Sequence, residues 1–232
     1  MKDLISELRK MSNPKKIKIY KNFHKTSDGD YASGEEFLGL TVPQLRVLAK
    51  KYHNISLREV KELLGSNIHE EKYLAALILI YKYENYQTEE KVQIVKFCLN
   101  NTKKFSGWDL VDSIAPSILG PWLIDKDKKI LIRLAKSNDL WERRIAIVST
   151  YYFIKNNQFN DTLKISEMLM NDNHDLIHKA CGWMLREIGK RDKKVLEKFL
   201  NKNYKKMPRT MLRYAIERFP ERKRKMYLNG II

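Results

Sequence analysis

The amino-acid sequence predicts an all-α protein, organised as a solenoid of paired antiparallel helices with a basic concave face. Only nine of the 232 residues are glycine, and apolar residues recur at helical spacing along nearly the whole chain. The segment 73–81 is apolar on almost every side, as a buried helix requires. Small residues interrupt bulky helices at intervals of 70, 36 and 33 residues, close to multiples of a paired-helix repeat. These residues are Ala76, Ala146, Gly182 and Ala215.

Capping and breaking residues predict the helix boundaries in order along the chain. Residues 1–26 predict a helical hairpin, which the Ser-, Gly- and Asp-rich loop 26–36 separates from a repeat array over 36–232. The run from Leu140 continues through Tyr151–Phe153 despite the β-type composition there, so we expect no strand and one domain over 1–232. Predicted starts are Thr41, Ser56, Thr88 and Asn160-Asp161, and predicted stops are Gly65-Ser66-Asn67, Gly120-Pro121, Asn156-Asn157 and Gly189-Lys190-Arg191-Asp192.

The charge of the chain predicts a polyanionic partner. Lys and Arg total 45 against 28 Asp and Glu, a formal net charge of +17, and such an excess attracts nucleic acid over long distances. The alternative is a lysine-rich surface that only maintains solubility. The apolar run 73–81 is far shorter than the roughly 20 residues of a membrane helix, so no membrane association is expected.

Cysteine and histidine usage predicts a cytoplasmic protein without a metal or another cofactor. Cys98 and Cys181 both lie in apolar, helix-like surroundings and form no Cys-x-x-Cys pair. No secretory signal precedes the first predicted helix. Five histidines are present, and their spacing does not resemble a metal-ligand set.

The most informative motif is the segment 108–113, which reads as a short helix. Its residues Trp108 and Asp112 are four apart and therefore share a helix face. Segments 141–144 and 182–187 add a second indole, Trp183, and an arginine, Arg144. An N3- or N7-alkylated purine is cationic and leaves its sugar as a neutral base, so a carboxylate that stabilises the oxocarbenium-like sugar is the main requirement. Indole faces attract cations, and an arginine binds phosphate by charge-assisted hydrogen bonds.

Each of these residues also has an ordinary structural interpretation. Trp108 and Trp183 are compatible with core indoles, the latter beside a closely packed glycine. Asp112 is compatible with a cap before the next proline or with a lysine pair, and Arg144 with a solvated helix face. Trp122 and Trp141 are interpreted as packing residues. The set of residues, rather than any one of them, favours a site.

Four segments together resemble the AlkD-type family of DNA alkylation-repair glycosylases, and the likeness extends over nearly the whole chain. The resemblance implies a HEAT-like repeat fold that holds duplex DNA, acts as a monomer and excises 3-alkyladenine and 7-alkylguanine without base flipping. The segments that carry the likeness are 36–46, 108–116, 141–146 and 179–187.

The resemblance also implies roles for individual residues. Asp112 corresponds to the catalytic carboxylate, and Trp108 and Trp183 to indoles that contact the sugar and backbone of the lesion. Phe23 takes the position of a family tyrosine near the lesion, without its hydroxyl. The implied backbone contacts are Arg144, Arg46 and Arg186.

Three functions remain open from the sequence. The first is a metal-free, monofunctional glycosylase for cationic alkylpurines in double-stranded DNA. The second is a non-catalytic helical-repeat module that binds nucleic acid through its charge. The third is a protein-binding scaffold, a common role of helical solenoids. A carboxylate that faces phosphates favours the first, because a binding module has no need of one.

Overall fold

The computed structural model describes residues 1–232, and all of its regular elements are helical. The all-α prediction is therefore confirmed. The chain forms two compact units, Met1–Ile114 and Ala115–Ile232. The first contains α1 (Lys2–Lys10), α2 (Pro14–His24), α3 (Val42–Lys51), α4 (Leu57–Leu64), α5 (His69–Asn85), α6 (Thr88–Asn100), a 3₁₀ turn (Thr102–Lys104) and α7 (Trp108–Ile114). The second contains a π-helical turn (Ala115–Leu119), α8 (Gly120–Leu123), α9 (Lys129–Ala135), α10 (Leu140–Lys155), α11 (Asn160–Met168), α12 (Asp175–Arg191), α13 (Lys193–Asn203), α14 (Arg209–Ala215) and α15 (Glu221–Asn229).

Helix α5 forms the centre of the first unit, as its uniformly apolar middle predicts. It packs against α3, α4, α6 and α7, and Leu74 and Ile78 are fully buried. Two of its neighbours, α3 and α4, begin after predicted capping residues. Thr41 and Ser56 each form a capping box with a Gln or Glu three residues later, which satisfies free amides of α3 and α4.

The predicted loop 26–36 is confirmed, and its end is fixed to the start of α5. The amide of Glu36 donates to the carbonyl of Asn67 at 2.9 Å, and the amide of His69 donates to the carbonyl of Glu36 at 2.8 Å. The buried Glu70 carboxylate accepts from the amides of Leu38, Gly39 and Leu40 at 2.8, 2.7 and 3.2 Å. The first turn of α5 therefore holds the segment that leads into α3.

Helices α10 and α12 form the centre of the second unit. Helix α12 packs against α10, α13 and α14, and the contact with α14 is close because a Cβ at Gly182 would lie 2.5 Å from the carbonyl oxygen of Met211. The contact of α8 with α10 is equally close, since a Cβ at Gly120 would lie 2.5 Å from the Cβ of Tyr152.

The predicted stop at Gly120-Pro121 is wrong, whereas the predicted stop at Gly189-Lys190-Arg191-Asp192 is confirmed. Gly120 begins α8, where Pro121 is tolerated in the first turn. Gly189 lies inside α12, which ends at Arg191. Both glycines permit close packing of helices and do not end the helices that contain them. No helix of the chain combines the length and the apolar character that a membrane span requires.

Candidate functional site

An aromatic-walled cavity of about 370 Å³ lies in the unit Met1–Ile114, and we call it the aromatic cavity. Helices α2, α5 and α7 each contribute to its walls. Trp108 and Asp112 both line it, as their four-residue spacing on α7 predicts. The other aromatic residues of the wall are Tyr20, Phe23, His24, His69 and Tyr73.

The end of α2 meets the indole of Trp108. The rings of His24 and Trp108 are stacked, with centroids 5.6 Å apart and planes 17° apart. Phe23 meets the same indole edge-on at 5.4 Å and is 62% exposed. The structure thus brings Phe23 to the motif, as the resemblance implies. His24 also lines the cavity, but the sequence analysis did not identify it. The only signal for His24 in the sequence was its position next to Phe23.

A buried network of alternating charges lies behind Trp108. His69 Nδ1 lies 2.9 Å from an oxygen of Glu35, and His69 Nε2 lies 2.8 Å from an oxygen of Asp109. Lys72 forms an ion pair with the same oxygen of Glu35 and donates to the hydroxyl of Ser106 at 3.1 Å. Buried charges are tolerated when they are paired in this way.

The two carboxylates hold a proton on His69. Burial lowers the pKa of His69, but the hydrogen bonds to Asp109 and Glu35 outweigh it and raise the pKa to about 9. Burial raises the pKa of Asp109 and of Glu35, but the hydrogen bond from His69 gives each a net pKa below its usual range. At neutral pH the network therefore contains an imidazolium between two carboxylates.

The grouping of His24, His69 and Asp109 has the composition of a metal site, with ligand atoms within 4.8 Å of one another. A histidine ligates a metal through the lone pair of a neutral imidazole. His69 instead donates hydrogen bonds from both ring nitrogens, so the ion-paired network accounts for its surroundings. Burial lowers the pKa of His24, whose ring centroid is 4.4 Å from that of His69.

The predicted arginines occupy three different environments. Arg46 is exposed on α3 and forms no ion pair. In the second unit, Arg144 is 5% exposed and its Nη1 donates to the carbonyl of Leu176 at 2.5 Å. The solvated-face interpretation of Arg144 is therefore wrong. Arg186 forms an ion pair with Glu217.

The predicted indoles of the second unit also differ from one another. Trp183 is half-buried, and its ring lies 5.7 Å from that of Tyr151. Part of this indole is therefore available for contact, although Gly182 beside it packs closely as predicted. Trp141 is buried, in agreement with a packing role, and Trp122 is half-buried under the ammonium group of Lys126.

In the first unit the structure thus brings together the carboxylate of Asp112 and the indole of Trp108, with the rings of Phe23 and His24 against that indole. A carboxylate beside aromatic faces can stabilise a developing positive charge. The carboxylate attracts that charge directly, and the rings attract it through their quadrupoles. The charged network missed by sequence reasoning joins residues 34 and 40 positions apart. The one signal for it was Asp109, an acidic residue inside the Trp108 motif.

Comparisons with known proteins show the family and the fold of the chain. A family model described as "DNA alkylation repair enzyme" matches residues 4–219. A solved structure described as "Predicted DNA alkylation repair enzyme from Enterococcus faecalis" is similar, with a TM-score of 0.69, 17% sequence identity, and coverage of 90% of this chain and 97% of that chain. At this identity the likeness shows the fold. No curated protein matches the chain.

Proposed function

Because the chain belongs to the DNA alkylation repair enzyme family, we propose that it is a monofunctional DNA glycosylase for cationic alkylpurines. Its substrates are N3- and N7-alkylated purines, such as 3-methyladenine and 7-methylguanine, in double-stranded DNA. The observation that supports this most directly is the position of Asp112 and Trp108 on one face of α7, in the wall of the aromatic cavity. It acts in base excision repair, as a cytoplasmic monomer.

Asp112 is the proposed catalytic residue. The alkylated base carries a positive charge and departs neutral, so no general acid is needed. The Asp112 carboxylate balances the charge that develops on the sugar and orients the attacking water. The face of Trp108 supports the same cationic sugar, and Phe23 extends the aromatic surface.

The remaining predicted residues are proposed to bind the DNA backbone, with the base left in the stack. Trp183 contacts the sugar and backbone through the part of its side chain that is exposed. Arg144, Arg46 and Arg186 are proposed phosphate contacts, and Arg46 needs no rearrangement because it is exposed without an ion pair. Before they bind a phosphate, Arg144 and Arg186 must each exchange or share an existing partner, the carbonyl of Leu176 and the carboxylate of Glu217.

The test is release of alkylated bases from methylated duplex DNA, separated by chromatography. Asp112→Asn is expected to slow release of 7-methylguanine by roughly 10²–10⁴-fold, the effect of losing one electrostatic or acid–base group. Asp125→Asn makes the same chemical change at an exposed position and is expected to leave the rate unchanged. Equal rates for the two variants would remove Asp112 from the mechanism.

The net charge of +17 supports a second candidate, a non-catalytic nucleic-acid-binding module. The same assay separates the two functions. Tight binding of methylated DNA with no released base by the wild-type protein would favour the binding module.

A further inference from the structure

A second cavity of about 370 Å³ lies in the unit Met1–Ile114, and we call it the polar cavity. Its walls come from the loop 31–35, the turn 64–67 between α4 and α5, and the segment before α7. Its charged lining residues are Lys72, Lys103, Lys104 and Glu35. Three ammonium groups and one carboxylate give this cavity a positive charge, so its ligand is expected to be an anion.

Two of the lysines have positive charges that no carboxylate of the protein neutralises. Lys103 and Lys104 are exposed, and neither forms an ion pair. The Nζ of Lys104 lies 3.8 Å from the position that a Cβ at Gly65 would occupy. This ammonium group therefore lies against the turn, at an ordinary contact distance.

The third lysine is part of the buried wall. Lys72 is 7% exposed, and its Nζ pairs with Glu35 and donates to the hydroxyl of Ser106 at 3.1 Å. An ammonium group has three hydrogens, so one remains for a ligand. The pairing with Glu35 keeps the charge in place despite the burial.

Small polar residues complete the walls. Three serines, Ser33, Ser66 and Ser106, line the cavity. Gly34 has a φ of +78°, and no atom beyond its two chain neighbours lies within 4 Å of where its Cβ would be. An anion can therefore approach the backbone of this loop closely. Ammonium groups, hydroxyls and an accessible glycine backbone are the donors that proteins use to bind phosphate oxygens.

We propose that the polar cavity binds a phosphate group, supplied either by a nucleic-acid strand or by free inorganic phosphate. The cavity volume exceeds that of one phosphate group and is in the range of about 300–1,000 Å³ typical of small-molecule sites. A phosphate ester therefore also fits. The site is formed without Asp112, so it does not depend on the proposed glycosylase activity.

The test compares two double variants that remove the same charge. Lys103→Ala/Lys104→Ala alters the cavity, whereas Lys50→Ala/Lys96→Ala removes two exposed lysines, also without ion pairs, that do not line it. Calorimetric titration with inorganic phosphate is expected to show binding that is on the order of tenfold weaker or more in the first variant and within about twofold of wild type in the second. Amide resonances of the loop 31–35 and the turn 64–67 are expected to shift on titration.

A second arm identifies the source of the phosphate. Affinity for duplex DNA is measured for both variants with and without inorganic phosphate as competitor. Greater loss in the cavity variant, with competition by phosphate, supports a nucleic-acid phosphate, and loss confined to the calorimetric arm supports free phosphate. Equal loss in the two double variants in both arms, or wild-type protein that does not bind phosphate saturably, would overturn the proposal.

Discussion

The position of His69 between two carboxylates makes the stability of the protein fall at alkaline pH. Its pKa is about 9 in the folded chain, against an ordinary value of 6.5. Folding thus favours the protonated imidazole, and its contribution to the free energy of unfolding is complete below pH 6.5 and lost as the pH rises through 9. This contribution is about 3 kcal/mol in total, and most of it disappears between pH 7 and pH 10.

The carboxylates of the same network have the opposite dependence. The pKa of Glu35 and that of Asp109 are both lowered in the folded protein, because the hydrogen bond from His69 outweighs the effect of burial. Their contribution is present above the pKa of the unfolded chain and is lost as the pH falls through the folded value. The network therefore stabilises the protein most between the ordinary pKa of its carboxyl groups, at most 4.5, and the ordinary pKa of its histidine, 6.5.

The assay is denaturant unfolding of the wild type, His69→Gln and His53→Gln between pH 7 and pH 10. Glutamine retains a hydrogen-bonding group but does not titrate. His53 lies outside the network, and its Nδ1 is 2.9 Å from a backbone carbonyl oxygen. Over this range the wild type and His53→Gln are expected to lose about 2–3 kcal/mol more stability than His69→Gln.

Parallel pH dependence in all three proteins would refute this reasoning. If His69→Gln does not fold, the wild-type imidazole can be titrated directly by NMR. A titration midpoint near the ordinary value of 6.5, rather than near 9, would also refute the reasoning.

Three further perturbations test the packing and the DNA contacts. Phe23→Ala is expected to preserve the fold and slow base excision by roughly 2- to 10-fold, the worth of one aromatic pair with Trp108; an unchanged single-turnover rate would show that Phe23 does not shape the site. Gly182→Ala is expected to cost about 1–3 kcal/mol in thermal or denaturant unfolding, whereas Gly65→Ala, where a Cβ has only ordinary contacts, should change stability by less than about 0.5 kcal/mol. Arg46→Ala is expected to lower the salt slope of DNA binding by about 1, and an identical slope would exclude a phosphate contact.

The sequence predicted what depends on local spacing. The four-residue interval between Trp108 and Asp112 placed both on one helix face, and the uniformly apolar middle of α5 predicted its burial. The prediction that a helix ends at Gly120 was wrong because glycine occurs both at helix ends and where helices pack closely. A single sequence does not show that Tyr152 of another helix occupies the space beside it.

The charged network could not be predicted because its members are brought together only by the tertiary fold. Glu35 is in a loop, His69 begins α5 and Asp109 is in the first turn of α7. Asp109 alone resembles an ordinary acidic residue near a helix N-terminus, where such groups are favourable. Glu35 and His69 have no spacing in the sequence that links them to it. Phe23 was placed through the family likeness, whereas its neighbour His24 had no pattern to distinguish it.

The first turn of α5 explains how the distant segments of the site are held in one arrangement. His69 fixes the start of α7 through Asp109, which directly follows Trp108 and precedes Asp112 by three residues. The carboxylate of the adjacent Glu70 accepts hydrogen bonds from three backbone amides in the segment that leads into α3, the helix that carries Arg46. Because an unpaired buried charge costs several kcal/mol, displacement of α7 relative to α5 would separate an imidazolium from its carboxylate. Charge pairing therefore restricts the positions of the indole and the carboxylate on which the proposed chemistry depends.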